Sequence, residues 1–235
     1  MLAINPNILS RFLNSISQFV IILSVFLICV AGVLIFFLEN DYYQGLSFKI
    51  MFIHVPAAWL SLMFFFIIGT SSIIGIVFKS PTAFTIARSL SPIGLLMSIL
   101  VIITGSIWGN LTWGTYWVWD ARLTSMLILA FIYLGHNLLL FSFEHFQKAD
   151  FAASILAIIG LVNLPIVKFS VDWWTTLHQG SSVFKIGGPS LTTDYLITLL
   201  IGFFALFLLC FYWFASIFYI IIENRKIERA KLFND

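Results

Sequence analysis

The chain has 235 residues, of which 61% are hydrophobic and 9% charged, with a net charge of +2. A soluble domain carries about a quarter charged residues, so a water-soluble globule is excluded and most of the surface must face lipid. The small net charge gives no reason to expect nucleic acid as a partner.

A spanning helix needs about 20 apolar residues, and the sequence offers about six such runs. They cover roughly Phe19 to Leu38, Ile50 to Phe78, Leu90 to Ile107, Leu123 to Phe143, Phe151 to Phe169 and Tyr195 to Ile222. Uninterrupted runs of this length are helices, because a barrel would show short alternating segments. The expected fold is an all-α integral membrane protein, a bundle of about six helices forming one polytopic domain over 1–235. The apolar run behind Met1 to Gln18 is too long for a cleaved signal and reads as a retained span.

Lysine and arginine set the expected orientation. With the N-terminus inside, the inner segments hold Arg11, Lys79, Arg88, Lys148, Arg225, Lys226, Arg229 and Lys231, and the outer ones Lys49, Arg122, Lys168 and Lys185, eight against four. Both termini are therefore expected on the cytoplasmic side, or its mitochondrial matrix equivalent. The outer segments are then about 39–54, 108–124 and 170–194. Cys29 and Cys210 lie far apart in apolar runs and read as small buried residues. No intramembrane charge pair or broken helix that would line a transport pathway is expected.

The chemistry concentrates on the outer segments. Seven of the eight tryptophans, Trp59, Trp108, Trp113, Trp117, Trp119, Trp173 and Trp174, fall on or near that side, and Trp213 lies within a span. An interfacial aromatic belt is one reading. Belts occupy both interfaces, so a one-sided cluster also reads as a platform for a flat apolar ligand. Of the four histidines, His145 reads as a solvated loop residue and His136 as a packing residue within the fourth span. His54 stands at the outer end of the second span, before Pro56 in what reads as a first helical turn, and His178 stands in the third outer segment. Two neutral imidazoles flanking a tryptophan platform suit a metal-bearing planar ligand, and haem fits. Arg122, Lys49, Lys168 and Lys185 are candidates for its propionates. Asp120 stands where it can cap the fourth helix.

The stretch Trp108-Gly109, Trp113-Gly114-Thr115-Tyr116-Trp117-Val118-Trp119-Asp120-Ala121-Arg122-Leu123-Thr124 resembles the WWD signature of the haem-handling proteins of cytochrome c biogenesis. The ending Asp-Ala-Arg-Leu-Thr is similar to the cytochrome c maturation protein C family (CcmC, haem exporter protein C). Larger relatives, including the haem lyase subunit, continue with Asp-Pro. His54-Val55-Pro56-Ala57-Ala58-Trp59 and Trp173-Trp174-Thr175-Thr176-Leu177-His178-Gln179-Gly180 with Gly187-Gly188-Pro189 extend the likeness, and Tyr116 stands where tryptophan is often seen.

The resemblance implies a haem-binding transfer protein, not an enzyme. It implies transiently bound haem b with His54 and His178 as axial ligands. Trp108, Trp113, Gly114, Tyr116, Trp117, Trp119, Asp120 and Arg122 would form the WWD platform. The implied partners are a membrane-anchored haem chaperone, an ABC-type ATPase with its membrane subunits, a small membrane adaptor subunit and the lipid bilayer. The implied location is the bacterial inner membrane, or alternatively the mitochondrial inner membrane. Presentation of haem is favoured over its transport. A haem lyase, or a transporter subunit for another cargo, is the alternative.

Overall fold

The computed structural model describes residues 6–180, 182–183 and 187–232, without the side chains of 229, 231 and 232. Seven α-helices follow in chain order: α1 (Pro6–Phe37), α2 (Met51–Phe78), α3 (Pro81–Trp113), α4 (Ala121–Phe141), α5 (Phe146–Gly160), α6 (Asn163–Trp173) and α7 (Thr193–Leu232). A 3-10 turn, Leu46–Ile50, leads into α2. Taking α5 and α6 together, six stretches among the described residues are long and apolar enough to cross a membrane. The chain is the all-α, six-span integral membrane protein that its composition predicts.

Local chemistry sets the ends. Lys79 leaves α2 in the left-handed region (φ 49°), and Ser80 caps α3 by accepting from the Ala83 N–H, with Pro81 in the first turn. Gly114 ends α3 at φ 75°, a conformation that favours glycine. Asp120 then caps α4, accepting from the Leu123 N–H at 2.8 Å. The cap expected of Asp120 is present.

Between helices in lipid, close packing and buried hydrogen bonds hold the bundle together, and small residues bring backbones close. The core joins Leu60, Phe65 and Ile68 of α2, Met97 of α3, Leu129 and Tyr133 of α4, Ala157 of α5 and Cys210 of α7. A methyl group at Gly94 would overlap the Tyr133 ring, and one at Gly160 would overlap Phe65. Tyr133, fully buried, donates to the Ser61 carbonyl at 2.7 Å. α1 packs beside α7, where Leu13 meets Ala215, Phe218 and Ile222. Its remaining faces carry exposed apolar side chains such as Phe19, Phe26 and Phe36.

Four expectations need correction. Cys29 is exposed on an outward face of α1, and only Cys210 is buried. Pro56 lies inside α2, beyond its first turn, because the helix already starts at Met51. The fifth run is broken between Gly160 and Asn163. Pro165 there lacks an N–H and cannot bond to the Leu161 carbonyl, so the chain tightens and Leu164 N–H donates to that carbonyl instead. Finally, a charge cluster does lie within the spanning helices. Asp150 of α5 accepts from Arg88 of α3 at 2.8 Å and from Arg225 of α7 at 2.5 Å. His145 is only half exposed and stands 3.5 Å from Glu228, whose carboxylate also accepts the Phe146 N–H that begins α5.

Candidate functional site

α3 has 33 residues, a length of about 50 Å, which exceeds the roughly 30 Å hydrocarbon layer. Its last turns therefore reach the membrane edge, where they meet segment 38–50, the start of α2, the start of α4 and the segment after α6. Together these line a cavity of about 250 Å³. Most of its wall is apolar, with a few convergent polar groups, which is the make-up of a ligand site.

His54 and His178 face this cavity from different elements, with ring centroids 6.5 Å apart and planes inclined by 32°. His54 is 8% exposed, one turn into α2. Its Nδ1 lies 3.0 Å from Thr104 Oγ1 on α3. Trp108 sits edge-on to it at 5.8 Å. His178 lies beyond α6 on a turn in which its own N–H donates to Thr176 Oγ1 at 2.8 Å. Its Nδ1 is 2.9 Å from the Gln179 carbonyl, which can only accept, so Nδ1 carries the proton and Nε2 is left with a free lone pair. Trp113 stands edge-on to it at 6.3 Å. Burial, and next the charge of Arg122, hold the His178 pKa below its ordinary value, which favours the neutral form that can bind a metal.

Of the eight WWD residues, Trp108, Trp113, Trp117 and Arg122 line the cavity. Trp117 Nε1 is buried without a hydrogen-bond partner among the described residues. Arg122 makes no direct ion pair among them, and the carboxylates of Asp120 and Asp172 act on its charge from farther away. A buried free donor and a guanidinium with no direct salt bridge suit an anionic guest. The other four are placed differently. Gly114 and Asp120 are helix caps, while Tyr116 and Trp119 are 62% and 75% exposed. Trp119 contacts the edge of Trp117 at 5.5 Å, so it buttresses the wall from outside. Of the other cations considered for a carboxylate guest, Lys49 turns to the Phe36 carbonyl and Lys168 is not in the lining. Lys185 lies outside the described residues.

His136 is not part of this site. It is buried in the bundle, 2.8 Å from Ser91 Oγ. Gln44, Gly105 and Gln179 line it and Thr104 backs His54, and of these the sequence motifs include only Gln179. Gln44 accepts the Trp108 indole N–H at 2.8 Å. No signal in the sequence could single out Gln44, because the bond depends on how a loop folds over a helix end 64 residues on.

Six spans and a cavity at one end, walled by tryptophans and faced by two histidines, define a multi-pass membrane protein with a candidate ligand site. The family model described as heme exporter protein C matches residues 1–232. The chain belongs to the heme exporter protein C family. It is 49% identical over 162 residues to a heme exporter protein C of Bradyrhizobium diazoefficiens, covering 69% of this chain and 62% of that protein. It is 44% identical over 188 residues to a putative cytochrome c biosynthesis ccmC-like mitochondrial protein of Marchantia polymorpha, 80% of this chain and 77% of that one. It is 45% identical over 146 residues to a heme exporter protein C of Escherichia coli K12, 62% of this chain and 60% of that protein. The matched stretch thus spans less than two thirds of the Bradyrhizobium and Escherichia relatives.

Proposed function

We propose that this protein binds haem as cargo at the outer face of the membrane and hands it to a membrane-anchored haem chaperone during c-type cytochrome maturation. His54 and His178 are the axial ligands in this reading. The observation that carries it is their relationship across the cavity. Two imidazoles bound through Nε2 to one metal, at about 2 Å each, have centroids roughly 6.3 Å apart, and the rings here are 6.5 Å apart. Haem supplies an iron that accepts two nitrogen ligands. The protein supplies everything else: two oriented imidazoles, indole walls, and Arg122 with Trp117 Nε1 for the propionates.

The rest of this reading is supported by the lysine and arginine bias of the sequence and by the family. The termini lie on the cytoplasmic or matrix side, and segments 39–54, 108–124 and 170–194 lie outside. The membrane is the bacterial inner membrane or its mitochondrial counterpart. The chain serves as a haem-handling subunit beside an ABC-type ATPase, its membrane subunits and a small adaptor, which supply any ATP hydrolysis. The test is an absorption spectrum of purified wild type beside His54→Ala and His178→Ala. A six-coordinate haem, lost or altered in each variant, is expected. Wild-type spectra in both variants would sink the ligand assignment.

A further inference from the structure

We infer that Thr104 is a positioning residue for His54: it fixes the imidazole as the Nδ1–H tautomer and so reserves Nε2 for the guest. The inference rests on the reading of His54 as a haem ligand for its functional meaning, but not for its geometry. A threonine hydroxyl has one proton to give. Thr104 Oγ1 lies 2.6 Å from the Leu100 carbonyl and 3.3 Å from that of Val101. At 2.6 Å two oxygens must share a proton, so the hydroxyl donates to Leu100. Its lone pairs then face His54 Nδ1 at 3.0 Å, which can be satisfied only by an N–H on the ring. The Val101 carbonyl of the same helix also hydrogen-bonds to this imidazole, so α3 offers His54 acceptors, and the relay from Nδ1 through Thr104 to the Leu100 carbonyl favours the ring with Nε2 free of a proton.

The next residue, Gly105, holds the ring plane. A methyl group there would sit 2.9 Å from His54 Cε1, so only glycine lets the ring lie flat against α3 with Nδ1 over Thr104. Thr104 and Gly105 therefore act as one device, an acceptor beside a gap. Second partners of this kind orient a metal-binding imidazole and raise its basicity, and removing one costs about 10- to 100-fold in metal affinity. The two histidines are held unequally. His54 rests on a side chain and a backbone carbonyl of a neighbouring helix, whereas His178 rests on the carbonyl of the next residue in its own turn.

The test has two arms. In the first, the full-length protein without haem, labelled with ¹⁵N histidine, is examined by NMR, with His54 assigned from its absence in His54→Gln. An Nδ1–H tautomer is expected in wild type and Thr104→Ser, and a loss of that preference in Thr104→Val. A wild-type His54 protonated at Nε2 overturns the inference without any Thr104 variant. In the second arm, haem-loaded protein is challenged with a haem scavenger. Thr104→Val should lose haem about ten-fold faster or more with a shifted Soret band, while Thr104→Ser stays close to wild type. Equal rates and spectra for Thr104→Val, beside a His54→Ala that has lost its six-coordinate spectrum, overturn the inference alone. An unchanged His54→Ala instead removes the ligand reading and leaves the tautomer to the NMR arm.

Discussion

Trp108 donates its indole N–H to Gln44 Oε1 at 2.8 Å, joining the loop after α1 to the last turns of α3. Phe48 supports the same indole edge-on at 6.2 Å. The bond matters because Trp108 in turn walls His54. A neutral hydrogen bond is worth about 0.5–1.5 kcal/mol net. Gln44→Leu and Trp108→Phe should therefore each weaken haem retention by roughly two- to ten-fold. The double variant should be little worse than either single one. Haem titration of all four proteins checks this; fully additive losses would show that the two residues act independently.

Acid should release the guest late, and Arg122 should set how late. The native His178 pKa lies below its ordinary 6.5, first because of burial and then because of the Arg122 charge. As pH falls through 6.5, an unfolded chain takes up the proton while the native one resists. The stability this group contributes is thus present above that pH and declines below it. The neutral, ligating imidazole likewise persists below pH 6.5. Arg122→Gln removes the second cause and leaves the first, so His178 should protonate at a higher pH. A pH titration of the haem spectrum should place the midpoint for loss of six-coordination higher in Arg122→Gln than in wild type. An unmoved midpoint would mean that the guanidinium does not act on His178.

Asp120 serves the start of α4 first. Its Oδ1 caps the Leu123 N–H, while Oδ2 is buried without a hydrogen-bond partner among the described residues. Losing an N-cap costs about 1 kcal/mol when alanine replaces it, and asparagine caps about as well as aspartate. Asp120→Ala should lower the thermal midpoint, and Asp120→Asn should restore most of it along with haem binding. If Asp120→Asn melts like wild type yet fails to hold haem, the carboxylate charge has a direct part in the pocket.

Much of this is legible in the sequence, for reasons that differ by residue. The spans are plain because a run of some 20 apolar residues suits a membrane. Asp120 is plain because a cap is a local event, settled within three residues. His54 and His178 stand out because their neighbours are tryptophans. Thr104 does not, since a threonine among leucines and isoleucines is unremarked until a histidine 50 residues earlier is seen beside it. Arg88 reads as a loop charge because hydropathy treats any arginine as an edge. Only the fold brings up Asp150, 62 residues on, to neutralise it inside the bundle. Pro165 is visible, but prolines occur in spanning helices without breaking them, so the step between α5 and α6 could not be read. Tyr116 and Trp119 are the converse case: the family motif names them for the platform, and the fold leaves both exposed beside the cavity rather than in its lining.

The charge cluster at the far end gives the sharpest stability test. Asp150, with a side chain 1% exposed, accepts from Arg88 and Arg225, and both guanidinium groups also lie over the Phe146 ring at 4.6 and 4.7 Å. One carboxylate thus neutralises part of two buried charges and ties α3, α5 and α7 together. Removing it leaves two like charges facing each other without water, and breaking a buried pair in this way costs about 3–5 kcal/mol. Asp150→Ala should lower the thermal midpoint in detergent markedly. Arg225→Ala should do so less, because the Arg88–Asp150 pair survives. Arg88 is 20 residues before Trp108 on α3, about 30 Å along the helix, so folded protein of either variant should keep the wild-type haem spectrum. A spectrum altered in folded Asp150→Ala would reveal coupling between the two ends of the bundle, carried along α3.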